Sequence, residues 1–226
     1  MESLPKYLLY RSKRRSIRIV LRSNGVFAVY CPKKCAVKDI EAALSKHCEE
    51  MRQRFNARAD LLFAPDGNGI TLPLFGKRYP VTVGKTRKLV FDGDKFISSA
   101  SDRETLRTQY RELLRKTAKE VLPSTVSELA EKNGFTYSGL TVKAIYSRYG
   151  SCSAKKHLNF SLALMAFDRE FISFVILHEL CHTVHLDHSA AFYDLLSRVC
   201  PDHKRISSEG KGERSVITKA IHFSPA

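Results

Sequence analysis

No run of apolar residues in this 226-residue chain approaches the roughly 20 that a bilayer-spanning helix needs, so no membrane segment is expected. The opening Met1-Glu2-Ser3-Leu4-Pro5 lacks the basic and apolar regions of a secretory signal. Six cysteines (Cys31, Cys35, Cys48, Cys152, Cys181, Cys200) are scattered without C-x-x-C spacing, so free thiols are expected rather than disulfides. These absences together predict a cytoplasmic protein. Glycines between positions 65 and 95 have no phosphate-loop spacing and read as turn punctuation. Acidic residues are also scarce, 23 against 38 Lys and Arg, giving a net charge of +15 and a pI near 9.7. Such an excess favours anionic partners such as nucleic acid, nucleotides or acidic surfaces, although a basic surface also serves solubility alone.

What the chain does contain is a mixed α+β pattern. Residues 16–21 alternate, Asn24-Gly25 follows, and residues 26–30 are β-rich, which predicts a hairpin with Arg18 and Arg22 on its basic face. That face could hold phosphates or serve to discourage edge pairing. Ile40, Leu44, His47, Met51 and Phe55 recur at helical spacing, and His47 on that stripe reads as a structural histidine. Short strands at 70–75, 79–83, 88–91 and 95–98 complete a β-rich N-terminal half, 1–100, with its hairpin and one helix. A long helical pattern runs from 101 to 133, where Pro123 is expected to break or kink it, Ser124 to cap a second piece and Gly134 to end it. Strands are expected at 140–147 and 157–162, with a tight loop around Arg148-Tyr149-Gly150-Ser151-Cys152 between them. Asp168 caps the next helix and Phe167 can staple against Ile172. A further helix begins at Ser189 and stops at Pro201. The basic stretch 204–226 is expected to be loosely ordered.

Half of the eight histidines fall in one stretch, His178-Glu179-Leu180-Cys181-His182-Thr183-Val184-His185-Leu186-Asp187-His188. Its start reads H-E-x-x-H. On a helix the two histidines lie on one face about 6 Å apart along the axis and can converge on a metal ion. Glu179 can act as general base toward a Zn-activated water. A third ligand is needed. His185 lies one further turn along, roughly 10 Å from His178 if the helix continues. His188 can return if the helix ends near Leu186, so His178, His182 and His188 are the expected zinc ligands, with His203 in reserve. Cys181 shares the core face with Leu177 and Val184 and reads as a packed thiol. Asp187 could orient a histidine or simply sit in the turn. Arg148 and Tyr149 could contact a substrate or a developing oxyanion.

With these motifs in view, the chain resembles the YgjP-like family of zinc metallopeptidases, relatives of the SprT-like and WLM proteins. The resemblance rests on Arg14-Arg15-Ser16-Ile17-Arg18, Val29-Tyr30-Cys31-Pro32, Arg148 to Cys152, Leu158-Asn159-Phe160, the block from His178 to Ser189, Phe192-Tyr193 and Pro201-Asp202-His203-Lys204. It implies a zincin-like (minigluzincin-type) catalytic domain over 101–203, with His178, His182 and His188 as ligands and Glu179 as base. Where the family usually has tryptophan, this chain has Tyr149 and Tyr193, and it contains no tryptophan at all. Both swaps add a hydroxyl at positions that could contact substrate. Three activities follow as expectations: hydrolysis of a peptide or protein, hydrolysis of a nucleotide as a nucleoside-triphosphate (UTP) pyrophosphatase, and SprT-like proteolysis in association with nucleic acid.

Overall fold

The computed structural model describes residues 4–21, 26–60, 62–63, 69–145 and 147–222, with the side chains of 54–60 and 222 outside the description. The Asn24-Gly25 turn and the Phe55 side chain therefore lie outside the described residues.

Among the described residues, three small sheets and six α-helices form a mixed α+β architecture. In the first sheet, β1 (Tyr7–Ser12), β2 (Arg18–Leu21) and β3 (Phe27–Pro32) lie in the order β1-β3-β2. The expected antiparallel β2–β3 pairing is present, Arg18 opposite Tyr30 and Leu21 opposite Phe27. Strand β1, not expected from alternation, pairs parallel to β3 and is largely exposed. Helix α1 (Val37–Asp60) covers one face. Phe27, Val29, Cys31, Ile40 and Leu44 make a separate small core there. His47 is exposed at the rim of this layer rather than enclosed.

The second sheet, β4 (Thr71–Leu74), β5 (Lys77–Val83), β6 (Val90–Phe91) and β7 (Phe96–Ser98) in the order β4-β5-β7-β6, belongs to the main core. Leu72, Leu74 and Phe96 pack there with α2 (Arg103–Asn133). Tyr110 of α2 is fully buried and donates its hydroxyl hydrogen to the Pro73 carbonyl. The first sheet and α1 thus share a small core of their own, while the second sheet belongs with α2.

Pro123 does not divide α2. The helix is continuous because Leu122 and Val126 on either side are fully buried, while Pro123 itself faces solvent. Ser124 and Thr125, one of them expected as a cap, instead both donate to the Val121 carbonyl, at 3.0 and 2.9 Å. Asp102 caps the start by accepting from Thr105 N–H, and Gly134 at φ 71° ends the helix.

The third sheet is β8 (Gly139–Lys143), β10 (His157–Ser161) and β9 (Gly150–Cys152), in the order β8-β10-β9. The expected tight loop at 148–152 is therefore partly a strand: β9 is an antiparallel edge on β10, too short to betray an alternation. A 3-10 turn (Leu162–Ala166) leads into α3 (Arg169–Cys181), followed by α4 (Ala190–Val199), α5 (His203–Ser208) and α6 (Lys211–His222). The described part of the stretch expected to be a loose tail, up to residue 222, is thus largely helical and docked. Ile206, Ile217, Ala220 and Ile221 are buried in the main core. The Arg214 guanidinium stacks over Phe171 at 3.8 Å and donates to the Ile206 and Ser207 carbonyls. The surrounding lysines and serines hid this apolar spacing.

Candidate metal centre

Helix α3 is fixed first by its buried face. Phe171, Ile172, Val175, Ile176 and Leu180 enter the core, and Asp168 caps the start by accepting Phe171 N–H at 2.7 Å. Four-residue spacing then sets His178 and His182 on one side. The helix ends at Cys181, about a turn before the expected stop at Leu186, and His182 is its C-cap. Thr183 supplies the reason. Its hydroxyl donates to the Leu180 carbonyl at 2.7 Å, and the N–H groups of Thr183, Val184 and His185 tighten the turn onto Leu180 and Cys181.

The early stop lets the chain reverse. His188 Nε2 comes to 3.3 Å from His178 Nε2, and the donor nitrogens of His178, His182 and His188 all lie within 4.8 Å of one another. His185 does not join them. Its backbone carbonyl accepts a hydrogen bond from His182 Nδ1 at 2.9 Å instead. A carbonyl only accepts, so Nδ1 carries the proton and Nε2 keeps its lone pair. Asp187 faces solvent and accepts from Ser189 N–H at 3.4 Å, which makes it a turn residue. Ser189 occupies the N-cap of α4 but makes no side-chain cap bond.

Phe192 of α4, one of the residues that carry the family resemblance, is the floor of the cluster. It is fully buried, and its ring centroid lies 5.0, 4.5 and 4.9 Å from those of His178, His182 and His188. Burial pushes His178 down to about 4, helped by its neighbours His182, His188 and His203. His182 is also lowered, chiefly by burial. Convergent imidazoles, with His178 and His182 held toward the neutral form and His182 in a fixed tautomer, are a donor set suited to a divalent metal.

Glu179 is 6% exposed and lies against β9. Burial lifts its carboxyl to about 7, opposed by the Arg148 charge and a hydrogen bond from Cys152 N–H. Its position depends on Gly150, where an added Cβ would fall 2.6 Å from Glu179 Cγ and 2.8 Å from Oε1. That glycine is needed for close approach, not for an unusual backbone angle.

A cleft of about 520 Å³ opens in front of these groups. Arg148 and Tyr149 line it. The Tyr149 ring leans into the core, edge-on to Phe167 and Phe171 at 5.4 and 5.1 Å. Tyr193, expected as a substrate contact, stands outside the cleft lining, 46% exposed, with its ring 6.2 Å from that of His188. His203 is buried, donates from Nδ1 to the Cys200 carbonyl at 3.1 Å and is not part of the histidine cluster. Cys181 is fully buried, and burial pushes its thiol up to about 12, as befits a packed side chain. Ser207, Lys211 and Arg214 form the cleft's far wall. Sequence reasoning missed them because it left their helices unassigned, although Ile217, Ala220 and Ile221 at helical spacing were there to be read.

No functionally curated protein matches this chain. Among solved structures, the zymogen of the metallopeptidase abylysin from Pyrococcus abyssi is similar over 41% of this chain and 94% of its own, at 16% identity and a TM-score of 0.38. The zymogen of jannalysin from Methanocaldococcus jannaschii is similar over 40% and 94%, at 21% identity and a TM-score of 0.36. The model of one family, YgjP-like, metallopeptidase domain, matches residues 15–209, which takes in β2 and β3 of the first sheet, the histidine cluster, β9 and α5. The chain therefore belongs to the YgjP-like metallopeptidase-domain family.

Proposed function

We propose that the protein is a zinc-dependent peptidase that cleaves an amide bond with Glu179 as general base. The observation that carries this reading is the convergence of the His178, His182 and His188 nitrogens beside a buried glutamate in an open cleft. The three histidines would hold the ion, which when bound supplies Lewis acidity toward a carbonyl and toward water. Glu179 accepts the proton of the attacking water and returns it to the leaving amine; a carboxyl raised to about 7 suits both halves of that transfer. Strand β9 is an edge beside the site, so an extended peptide can add to it through main-chain hydrogen bonds, across from Lys211 and Ser207. Arg148 stands where it can stabilise a developing oxyanion.

A cytoplasmic setting fits six cysteines that form no disulfide and described helices none of which is long and apolar enough to cross a membrane. A second reading, hydrolysis of a nucleoside triphosphate, is favoured by Arg148, Lys211 and Arg214 around the cleft. Assaying the zinc-loaded protein against unfolded protein and against nucleoside triphosphates separates the two. Glu179→Gln should retain the metal and lose turnover by about 10²- to 10⁴-fold. An active Gln variant removes Glu179 as base.

A further inference from the structure

The basic charge is concentrated far more in the first sheet than elsewhere. Residues 1–36 hold nine of the 38 Lys and Arg but only Glu2 of the 23 acidic residues. The β1-β3-β2 register sorts these strands into two faces. Tyr7, Leu9, Phe27, Val29, Ile19 and Leu21 share the side that meets α1. The other side carries Leu8 and Tyr10 of β1, Tyr30 of β3 and Arg18 of β2, with Tyr10 and Arg18 both in register with Tyr30.

On that outer side the Tyr10 and Tyr30 rings stack at 4.9 Å and 17°. The Arg14 guanidinium lies 6.0 Å from the Tyr30 ring centroid, and its buried Nε has no hydrogen-bond acceptor among the described residues. Leu8 is 43% and Tyr10 39% exposed. A face meant only to stay soluble does not need stacked aromatic rings between arginines. One meant only to block edge pairing does not need exposed Leu8 and Tyr10.

We infer that this outer sheet face binds single-stranded nucleic acid, with bases adding to the Tyr10–Tyr30 stack and phosphates held by Arg14 and Arg18. Aromatic rings on an open sheet accept any base through its π face, and flanking arginines follow the backbone. A duplex keeps its bases stacked internally and cannot use the tyrosines. A lipid surface would use the charge but not the stack. The face is separate from the cleft, so the inference stands independently of the hydrolytic chemistry proposed there.

The test uses the full chain and labelled oligonucleotides of thymidine or uridine, a duplex of equal length, and vesicles containing phosphatidylserine. Fluorescence anisotropy should show tighter binding to both single strands than to the duplex, with log affinity falling against log salt at a slope of about −1.4 or steeper, as for at least the two phosphates held by Arg14 and Arg18. Tyr10→Ala should weaken single-strand binding about tenfold with the salt slope unchanged. Arg18→Glu should weaken it and shallow the slope by about one. Glu179→Gln should leave it unchanged, which separates this result from any failure at the cleft. Strands bearing 5-iodouracil should crosslink to Tyr10 or Tyr30. Circular dichroism melts check that the variants fold. Equal binding to duplex, an unaffected Tyr10→Ala variant that still folds, crosslinks confined to other elements, or capture by vesicles alone would each overturn the inference.

Discussion

The histidine cluster and the first sheet both place aromatic rings beside nitrogen-rich side chains, yet to opposite effect. Phe192 is fully buried under three histidines, of which His178 and His182 have their charge suppressed by lost solvent. Tyr10 and Tyr30 stack beside Arg14 on the sheet face away from α1. Burial converts a basic side chain into a neutral ligand, whereas exposure leaves it a cation for long-range attraction. The two regions also rest on different cores, the cluster on the main one and the sheet on a small one shared with α1.

If that contrast is right, substitutions in the two regions should differ in kind and in size. The largest effect is expected at His188: replacing it with Ala should reduce metal content from about one ion per chain to a trace, while His185→Ala keeps it, because only the carbonyl of His185 is used. Elemental analysis of the purified variants decides this, and the reverse result would reassign the third ligand. Next comes Phe192→Ala, which removes a fully buried ring and should cost about 3–5 kcal/mol in denaturant unfolding along with metal affinity. Gly150→Ala should cut turnover by about 10²-fold with little loss of metal, since the added methyl strikes Glu179 and not a histidine. By comparison, Arg18→Glu at the exposed first position of β2 should change stability by less than about 0.5 kcal/mol.

A pH series on the metal-free protein sharpens the contrast further. His178 titrates near 4 in the folded chain against 6.5 in the unfolded one, so its contribution is present above 6.5 and is lost as pH falls toward 4. Glu179 runs the other way: its folded value near 7 lies above the ordinary 4.5, so its contribution is present below 4.5 and lost as pH rises through 7. Glu179→Gln removes the second trend. Its melting temperature should therefore gain on the wild type between pH 5 and 8, and a constant difference would contradict the burial of the carboxyl.

Periodicity made most of the framework legible. The β2–β3 hairpin, the strands between 70 and 98, α1, and the Asp168 cap of α3 are all encoded locally by alternation, helical spacing and cap chemistry. What was not legible depends on neighbours distant in sequence. Pro123 is tolerated because Leu122 and Val126 are gripped by the core, and β9 exists because β10 is there to pair with it. At the site, the spacing from His182 to His188 was enough to expect the three histidines together. The roles of Phe192, Gly150 and the His185 carbonyl were not, because each acts through a contact that residue type does not announce.

The His182–His185 bond has a consequence for protein design and for searching genomes. A signature written in side chains marks position 185 as free to drift, and almost any residue there can present the same carbonyl oxygen. Proline is the exception, because it would remove the N–H that His185 gives to Cys181 and loosen the turn that aims the oxygen. A designer transplanting the motif must therefore copy the path of the main chain from 181 to 185, and a search pattern gains more from forbidding one residue at 185 than from requiring another.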